Sequence, residues 1–188
     1  MPNLYVIAGC NGAGKTTASY TILPEILDCK EFVNADEIAK GLSPFQPEKV
    51  SFEAGRIMLN RIKELIVQQV DFAFETTLST KSYFPLLKMA KMKGYSVTLF
   101  FLWLKSTDLA KARIKERVSK GGHFIPDDVV ERRYLRGMKN FFTFIKVTDN
   151  WILANNSEDA VSVIADGKSD IDYVVQNEEI WRIVNGLK

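Results

Sequence analysis

Short apolar runs alternate with longer amphipathic segments along most of this chain. Runs of this kind, bounded by polar or glycine residues, are typical of buried strands. They cover residues 4–9, 31–36, 71–75, 95–103 and 150–155. Because helical patterns separate the strands, the sequence predicts βαβ units. The expected α/β fold has a parallel sheet of five strands or slightly more, with helices on both faces.

The segments between these runs repeat apolar side chains at helical spacing. Helices are expected over residues 15–27, from the turn near Pro47 to about 69, and over 82–93, 107–120 and 127–145. Ser106 is a suitable N-cap for the fourth of these helices, and Gly94 is a natural stop for the third. The Gly121-Gly122 pair predicts a break between the fourth and fifth helices.

Length and composition indicate one globular domain over residues 1–188. Within it we expect a small helical lid over about 117–133 and a C-terminal extension over about 157–188. In the extension, residues 160–167 and 171–175 predict a small hairpin, followed by a short helix from about Glu178.

Charge and cysteine content narrow the functional classes. The formal net charge is +2, which gives no general case for binding nucleic acid or a membrane surface. The longest strongly apolar run, residues 98–104, is too short to cross a bilayer. The two cysteines show no metal-binding spacing, and the absence of a secretory leader pattern favours a cytoplasmic protein without a disulfide.

A phosphate-binding motif follows the first predicted strand. Residues 9–16 fit G-x-x-x-x-G-K-[ST] and are here named the phosphate loop. Backbone N–H groups of such a loop wrap phosphates, the lysine reaches the β- and γ-phosphates, and the hydroxyl of Thr16 can bind Mg²⁺. The alternative is an ordinary glycine-rich turn. The predicted ATP-binding residues are Gly9, Asn11, Gly12, Ala13, Gly14, Lys15, Thr16 and Thr17.

Two acids come at the ends of later strands, where ligands bind in parallel α/β sheets. Asp36 ends the second predicted strand and Glu75 ends the third. Such a carboxylate can take a proton from an attacking hydroxyl, orient Mg²⁺ through water, or hold a substrate hydroxyl. The alternatives are a helix N-cap for Asp36 and a structural hydrogen bond for Glu75. The hydroxyls of Thr76 and Thr77 suit a polar substrate or a helix cap.

The region from Lys111 to Lys139 is the most basic part of the chain. Arg117 falls on or beside the apolar stripe of its helix, and either Arg132 or Arg133 can enter a cleft from the next helix. Around the Gly121-Gly122 pair, such arginines indicate a mobile lid that neutralises charge on a transferred phosphoryl group and excludes water. A solvated basic face is the alternative.

His123 is the only histidine of the chain. One histidine without a neighbouring cysteine or second histidine is poor support for a metal site. Two interpretations remain open: a lid residue that forms a hydrogen bond in the closed site, and a simple loop histidine.

Taken together, the segments GCNGAGKTT, NAD, FAFETTLS and RVSKGGHFIPDDVVERRY closely resemble the zeta-toxin-like P-loop kinases, in the branch often labelled predicted ABC-type ATPases. The resemblance covers residues 4–155. Zeta toxins proper use ATP and Mg²⁺ to phosphorylate the sugar 3′-hydroxyl of UDP-N-acetylglucosamine. The segment ETTLS and the helix with Arg56 after NAD-x-IA are this branch's own patterns.

The resemblance implies roles for individual residues. Lys15 and Thr16 would bind phosphates and Mg²⁺, and Asp36 would be the general base. The implied catalytic residues are Lys15, Asp36, Arg117, Arg132 and Arg133, with one of the last two clamping phosphates. The implied substrate-binding residues are Asp36, Arg56, Glu75, Thr76, Thr77 and His123. The implied partners are a small-molecule acceptor and, loosely, an antitoxin protein.

Several other nucleotide-binding classes can be compared with these motifs. A transport ATPase needs an LSGGQ-like signature and a GTPase needs N-K-x-D, and the chain carries neither. A nucleoside or small-metabolite kinase of the same architecture remains a rival. A non-catalytic ATP-binding module that acts through a partner protein is a second rival. The turn after the fifth strand, with Asn155 and Asn156, is a candidate for contacting adenine.

Overall fold

The computed structural model describes residues 1–122 and 124–187. The strands are β1 (Asn3–Gly9), β2 (Glu31–Val33), β3 (Phe72–Thr76), β4 (Ser96–Trp103), β5 (Asn150–Asn155), β6 (Ser162–Gly167) and β7 (Tyr173–Val175). The α-helices are α1 (Lys15–Glu25), α2 (Ala35–Leu42), α3 (Ser51–Gln68), α4 (Phe84–Met92), α5 (Thr107–Ser119), α6 (Asp127–Phe144) and α7 (Glu178–Asn185). A 3₁₀ turn, Pro47–Val50, precedes α3.

The strands form one sheet in the order β2-β3-β1-β4-β5-β6-β7. The first five are parallel neighbours, as predicted, whereas β6 and β7 are antiparallel additions beside β5. The predicted C-terminal hairpin therefore forms, and it extends the main sheet. Strand order reverses at β1, which pairs with β3 on one side and β4 on the other. Ligands of parallel α/β sheets bind at the carboxyl ends of strands flanking such a reversal.

Both faces of the sheet are covered, as the alternation of strands and helices predicts. On one face Leu23 of α1 packs with Ile7 and Ala73. On the other face the buried sides of α3, α4 and α6 pack on the opposite side chains of the same strands, including Val6 and Phe74. None of the helices in the described part of the chain is both long and apolar enough to cross a membrane.

The largest local difference from the predicted elements lies after β2. The strand ends at Val33 rather than at Asp36, and α2 begins at Ala35. The cause is Asn34, whose side chain accepts a hydrogen bond from the Asp36 N–H at 2.8 Å and caps the helix. Asparagine is a favoured N-cap because its side-chain oxygen satisfies an N–H that the helix leaves unpaired. Asp36 is therefore neither a strand end nor the cap, but an acid of the first helical turn.

Candidate active site

The phosphate loop leads from β1 directly into α1. Gly14 precedes the helix with a left-handed φ of 83°, and within the described residues no side chain caps the helix. The first turn also carries no acidic residue. A helix start of this kind presents unpaired backbone N–H groups and a positive partial charge, which together bind an anion.

A small polar network joins the loop to the neighbouring strand ends. The Lys15 ammonium group is almost fully buried, donates to the Cys10 carbonyl at 3.1 Å and lies 3.4 Å from Glu75 Oε1. The Thr16 hydroxyl donates to Glu75 Oε2 at 2.8 Å, and Asn34 Nδ2 donates to the same oxygen at 2.9 Å. Glu75 is thus held by residues of the phosphate loop, α1 and the β2–α2 connection. These contacts bring Glu75 next to Thr16 and Lys15, the predicted Mg²⁺-binding and phosphate-binding residues.

Cys10 lies inside the phosphate loop with its thiol buried. Burial raises the pKa of this thiol to about 11, although the nearby Lys15 and Arg113 charges oppose the shift. Because the thiolate is the reactive form of cysteine, the thiol is inert at neutral pH. The surroundings favour a packing role for Cys10 over a redox role.

Two cavities open beside this network. The first, here named the loop cavity, has a volume of about 550 Å³ and is lined by Gly12, Gly14, Thr16 and Thr17 together with residues of α2 and α5. The second, the hydroxyl cavity, has a volume of about 240 Å³. Residues that line both cavities are Asn11, Lys15, Asp36 and Glu75. The two cavities therefore meet at the predicted phosphate-binding lysine and both predicted acids.

Basic side chains of α5 form one wall of the loop cavity. Arg113 and Arg117 lie one helical turn apart and both line it. Arg117 is exposed at the cavity, whereas Ala110 and Ile114 form the buried stripe of the helix. Arg113 is half-buried and donates to the Asn156 carbonyl at 2.7 Å. Sequence reasoning missed Arg113, although its spacing of four residues from Arg117 was a usable signal.

The Gly121-Gly122 pair ends α5 in a defined turn. The N–H of Gly121 donates to the Val118 carbonyl at 3.0 Å, and the N–H of Gly122 donates to the Arg117 carbonyl at 2.9 Å. This is the Schellman arrangement, which needs a left-handed residue such as Gly121 at φ 89°. The pair therefore fixes where the helix stops beside Arg117. The lid motion predicted for residues 117–133 stays a prediction.

The structure distinguishes the two candidate arginines of α6. Arg133 lines the hydroxyl cavity and donates to Asn11 Oδ1 of the phosphate loop at 3.1 Å. Burial lowers the pKa of its guanidinium group, and the nearby Asp36 carboxylate opposes the shift. Arg132 lies on another side of the helix, where it is 50% exposed and 3.7 Å from Asp128. Arg133, and not Arg132, reaches the cavities.

The hydroxyl cavity takes its name from the side chains that line it. They include Thr76, Thr77, Ser79, Thr80 and Tyr83. The first four belong to residues 76–80, here named the hydroxyl loop, which begins at the last residue of β3. Thr76 accepts a hydrogen bond from the Leu78 N–H at 3.0 Å, and the hydroxyls of Thr77 and Ser79 lie 2.9 Å apart.

Contacts with α6 hold the hydroxyl loop in an unusual conformation. Leu78 adopts a left-handed φ of 54°, which costs a leucine about 1–3 kcal/mol. Buried Asn140 donates to the Leu78 carbonyl at 2.7 Å. Gly137 lies so close that a Cβ there would be 2.7 Å from the Thr77 carbonyl oxygen. Tertiary contacts with one helix therefore set the direction of the loop.

One predicted substrate-binding residue lies away from the cluster. Arg56 was predicted to bind substrate, but it is exposed on α3 and lines neither cavity. It falls between Ala54 and Met58, which face the core, so helical geometry turns its side chain away from them. His123 lies outside the described residues.

Asn34 is a functional candidate that the sequence reasoning missed. It both caps α2 and donates to Glu75, so it links the two acids of the site. The signal was an asparagine directly after a short apolar run, a common helix start. The motif NAD therefore contributes its first residue to the cluster as well as its last.

Relatives of known sequence can now be compared with this arrangement. The family model described as Zeta toxin matches residues 1–166. A protein of Haemophilus influenzae described as uncharacterized is 34% identical over 126 residues, which cover 67% of this chain and 88% of that protein.

Solved structures share the fold over the whole chain. One chain of the AvrRxo1-ORF1:AvrRxo1-ORF2 complex with sulphate ions has a TM-score of 0.79 and 17% identity, and this chain spans 65% of its length. The same complex with ATP has a TM-score of 0.79 and 18% identity, with 64% of that chain covered. A structure of the PezAT chromosomal toxin–antitoxin system of Streptococcus pneumoniae has a TM-score of 0.67 and 15% identity, with 86% of that chain covered.

These comparisons confirm the resemblance expected from the motifs and the α/β fold expected from the pattern of strands and helices. At identities below 20% the solved structures support the α/β fold with its mostly parallel central sheet. The family model covers most of the sequence. This chain belongs to the Zeta toxin family.

Proposed function

We propose that this chain is an ATP-dependent phosphotransferase that moves the γ-phosphoryl group to a hydroxyl of a small acceptor. The observation that carries the proposal is the junction of the two cavities at Asn11, Lys15, Asp36 and Glu75. A phosphate-binding cavity that meets a second, hydroxyl-lined cavity at two carboxylates suits the transfer of a phosphoryl group between two bound molecules. A nucleotide switch or a binding module has no need of the second cavity.

The loop cavity would hold the triphosphate of ATP. Backbone N–H groups at the start of α1 and the Lys15 ammonium group would bind its phosphates. Arg117, one wall of the same cavity, would neutralise charge on the transferred group. The structure of the AvrRxo1-ORF1:-ORF2 complex with ATP supports nucleotide use by this fold.

The oxygen atoms of Thr16 and Glu75 fit a bound Mg²⁺, because the hydroxyl and the carboxylate lie 2.8 Å apart beside the phosphate loop. Hard cations of this size prefer such ligands, completed by phosphate oxygens and water. When bound, Mg²⁺ would offset the negative charge of the β- and γ-phosphates. Asn34 would keep the Glu75 carboxylate turned toward Thr16.

The acceptor would enter the hydroxyl cavity and present one hydroxyl to Asp36. As the acceptor oxygen bonds to the γ-phosphorus, the bond from that phosphorus to the β–γ bridging oxygen breaks and ADP leaves. The proton of the acceptor hydroxyl passes to the Asp36 carboxylate. Arg133 lies beside Asp36 and Asn11, a position from which its charge can stabilise the transferring group.

The chemistry of the cavity is compatible with a sugar nucleotide. Hydroxyls on the hydroxyl loop can exchange hydrogen bonds with sugar hydroxyls, and Arg133 can bind an anionic group of the acceptor. UDP-N-acetylglucosamine and related sugar nucleotides are therefore the first acceptors to test. Nucleosides and small metabolites with hydroxyl groups are the rival class.

The test incubates the purified chain and Mg²⁺ with γ-labelled ATP and a panel of UDP-sugars, nucleosides and small hydroxyl metabolites. We expect label to pass to one acceptor class, and Asp36→Asn to reduce that transfer by roughly 10²-fold or more because the general base is lost. Asp28→Asn is the matched control, since this exposed carboxylate lies 3.5 Å from Lys30 and lines neither cavity. The kinase proposal is wrong if the wild type labels no acceptor and the Asp36→Asn variant hydrolyses ATP as fast as the wild type.

A protein partner is a further part of this proposal. The solved relatives include the AvrRxo1-ORF1:-ORF2 complex and the PezAT toxin–antitoxin system. If this chain is likewise controlled by an antitoxin, its expression alone should slow bacterial growth and Asp36→Asn should relieve that effect. Equal growth with wild type and variant would remove the support for a toxin role without touching the kinase reaction.

A further inference from the structure

The loop between β5 and β6 contacts the phosphate loop through one side chain. Asn156 Nδ2 donates to the Ala13 carbonyl at 2.8 Å. Asn156 lines neither cavity, whereas Gly14, the next residue after Ala13, lines the loop cavity. The same amide lies directly over Gly14, where a Cβ would be only 2.5 Å from Nδ2. Glycine at this position therefore makes room for the asparagine.

The direction of this hydrogen bond has a consequence for phosphate binding. The Ala13 carbonyl and the Gly14 N–H belong to one planar trans peptide and point in opposite directions. Because Asn156 binds the carbonyl, the Gly14 N–H points away from Asn156, and Gly14 itself lines the loop cavity. One side chain thus fixes the orientation of a backbone donor at the start of α1.

The main chain of Asn156 is itself held by two hydrogen bonds, and further contacts hold the adjacent Ser157. The Asn156 N–H donates to the Trp103 carbonyl at 2.9 Å, which fixes Asn156 to the end of β4. Its carbonyl accepts from Arg113 at 2.7 Å, and the same guanidinium group contacts the Ser157 carbonyl at 3.4 Å. Ser157 accepts in turn from the Lys105 N–H at 2.8 Å. These contacts connect α5, β4 and the phosphate loop.

We propose that Asn156 is a positioning residue for triphosphate binding, acting through the Ala13–Gly14 peptide, and that Arg113 fixes Asn156. The proposal rests on the proposed function only in taking the loop cavity as the site of the triphosphate. It assigns Arg113 a role distinct from that of Arg117, since two of its N–H groups are used to hold backbone carbonyls. It also assigns Asn156 no contact with adenine.

The test measures the Kd of Mg²⁺-ATP and of inorganic tripolyphosphate by calorimetry, without an acceptor. Asn156→Ala should raise both values by the same factor, roughly three- to ten-fold, as expected for one lost hydrogen bond. Asn156→Asp keeps the shape of the side chain but places a carboxylate oxygen against the Ala13 carbonyl. It should therefore raise both Kd values at least as much as Asn156→Ala. Arg113→Lys keeps the charge but loses the planar guanidinium group that contacts two carbonyls. It should therefore raise both Kd values by a smaller factor.

The matched control is Lys105→Ala, which removes an exposed ion pair with Glu158 on the same loop and should leave both Kd values within about two-fold. Unchanged affinity in both Asn156 variants overturns the proposal, and a loss for ATP alone overturns it in favour of a base contact. A lowered melting temperature with wild-type Kd values would mean a structural role only. Wild-type protein that binds both ligands but phosphorylates nothing would instead contradict the proposed function.

Discussion

The phosphate loop and the hydroxyl loop face each other across Glu75, yet they are shaped by different means. The phosphate loop takes most of its form from its own glycines and from the helix that starts at its end, and Asn156 holds one of its peptides from outside. The hydroxyl loop contains no glycine and takes its form from α6, which contacts it through Gly137 and Asn140. One loop is defined mainly by local sequence and the other by tertiary packing.

This difference explains why a short sequence motif predicts the phosphate loop but not the hydroxyl loop. Phosphate geometry is the same in every nucleotide triphosphate, so a compact loop with fixed spacing serves it. The hydroxyl loop depends on Asn140, which is 62 positions away along the chain. Substitutions of Gly137 and Asn140, the α6 residues that contact the hydroxyl loop, should therefore alter acceptor binding without disturbing ATP binding. The predictions below test this division.

The largest effect is expected on the phosphate loop itself. Lys15→Ala removes the only buried ammonium group among the described residues that line both cavities. We expect phosphoryl transfer to fall by roughly 10³-fold or more, because the charge on the β- and γ-phosphates loses its partner. Labelled-ATP transfer measures the effect, with exposed Lys30→Ala as the control. Turnover at the wild-type rate would mean that the triphosphate is not bound at this loop.

A smaller loss of activity is expected from substitution of Arg133, which lies between the phosphate loop and the hydroxyl cavity. Arg133→Ala removes a half-buried guanidinium group that contacts Asn11 and lines the hydroxyl cavity, so kcat should fall by about 10²-fold. The adjacent Arg132→Ala should change kcat by less than about three-fold, since that side chain pairs with Asp128 away from the cavities. Steady-state kinetics of the two variants decide the matter. Equal losses would contradict the assignment of Arg133 over Arg132.

The smallest loss of activity is expected from a substitution that alters the hydroxyl loop alone, and it tests most directly whether the two loops act independently. Gly137→Ala places a Cβ 2.7 Å from the Thr77 carbonyl, so the hydroxyl loop must shift, at a cost of about 1–3 kcal/mol in folding stability. We expect the acceptor KM to rise by roughly ten-fold while the Kd of ATP stays unchanged. Denaturant unfolding and acceptor titration measure both effects.

Gly55→Ala is the matched control, because a Cβ there meets nothing within 4 Å of the described atoms. It should stabilise α3 by about 0.5–1 kcal/mol, the usual gain for alanine over glycine in a helix. A Gly137→Ala variant that weakens ATP and acceptor equally would show that the two loops are not independent.

Much of the fold could be predicted from the sequence because its signals are local. The parallel strands, the Ser106 cap of α5 and the stop after α4 follow from apolar spacing and from residues with marked backbone preferences. The error at β2 had a local cause as well. Asn34 begins a helix after only three strand residues, and an apolar pattern extending to Ala35 conceals that start.

The candidate site was only partly predictable. Lys15, Asp36 and Glu75 follow from their places after strands, since the carboxyl ends of parallel strands meet at one edge of the sheet. The choice between Arg132 and Arg133 needed the rotation of α6 relative to the sheet. The roles of Asn140 and Asn156 needed contacts between segments distant in sequence, which periodicity does not contain.

The two outer strands of the sheet are β2 and β7, and each is only three residues long. A sheet edge is a template for main-chain pairing with another polypeptide, and short edges are one way in which proteins suppress aggregation and strand exchange. Here each border offers only a few unpaired N–H and C=O groups. A protein that recognises this chain therefore has little backbone with which to extend the sheet, and must rely on side chains, helices and the rim of the cleft.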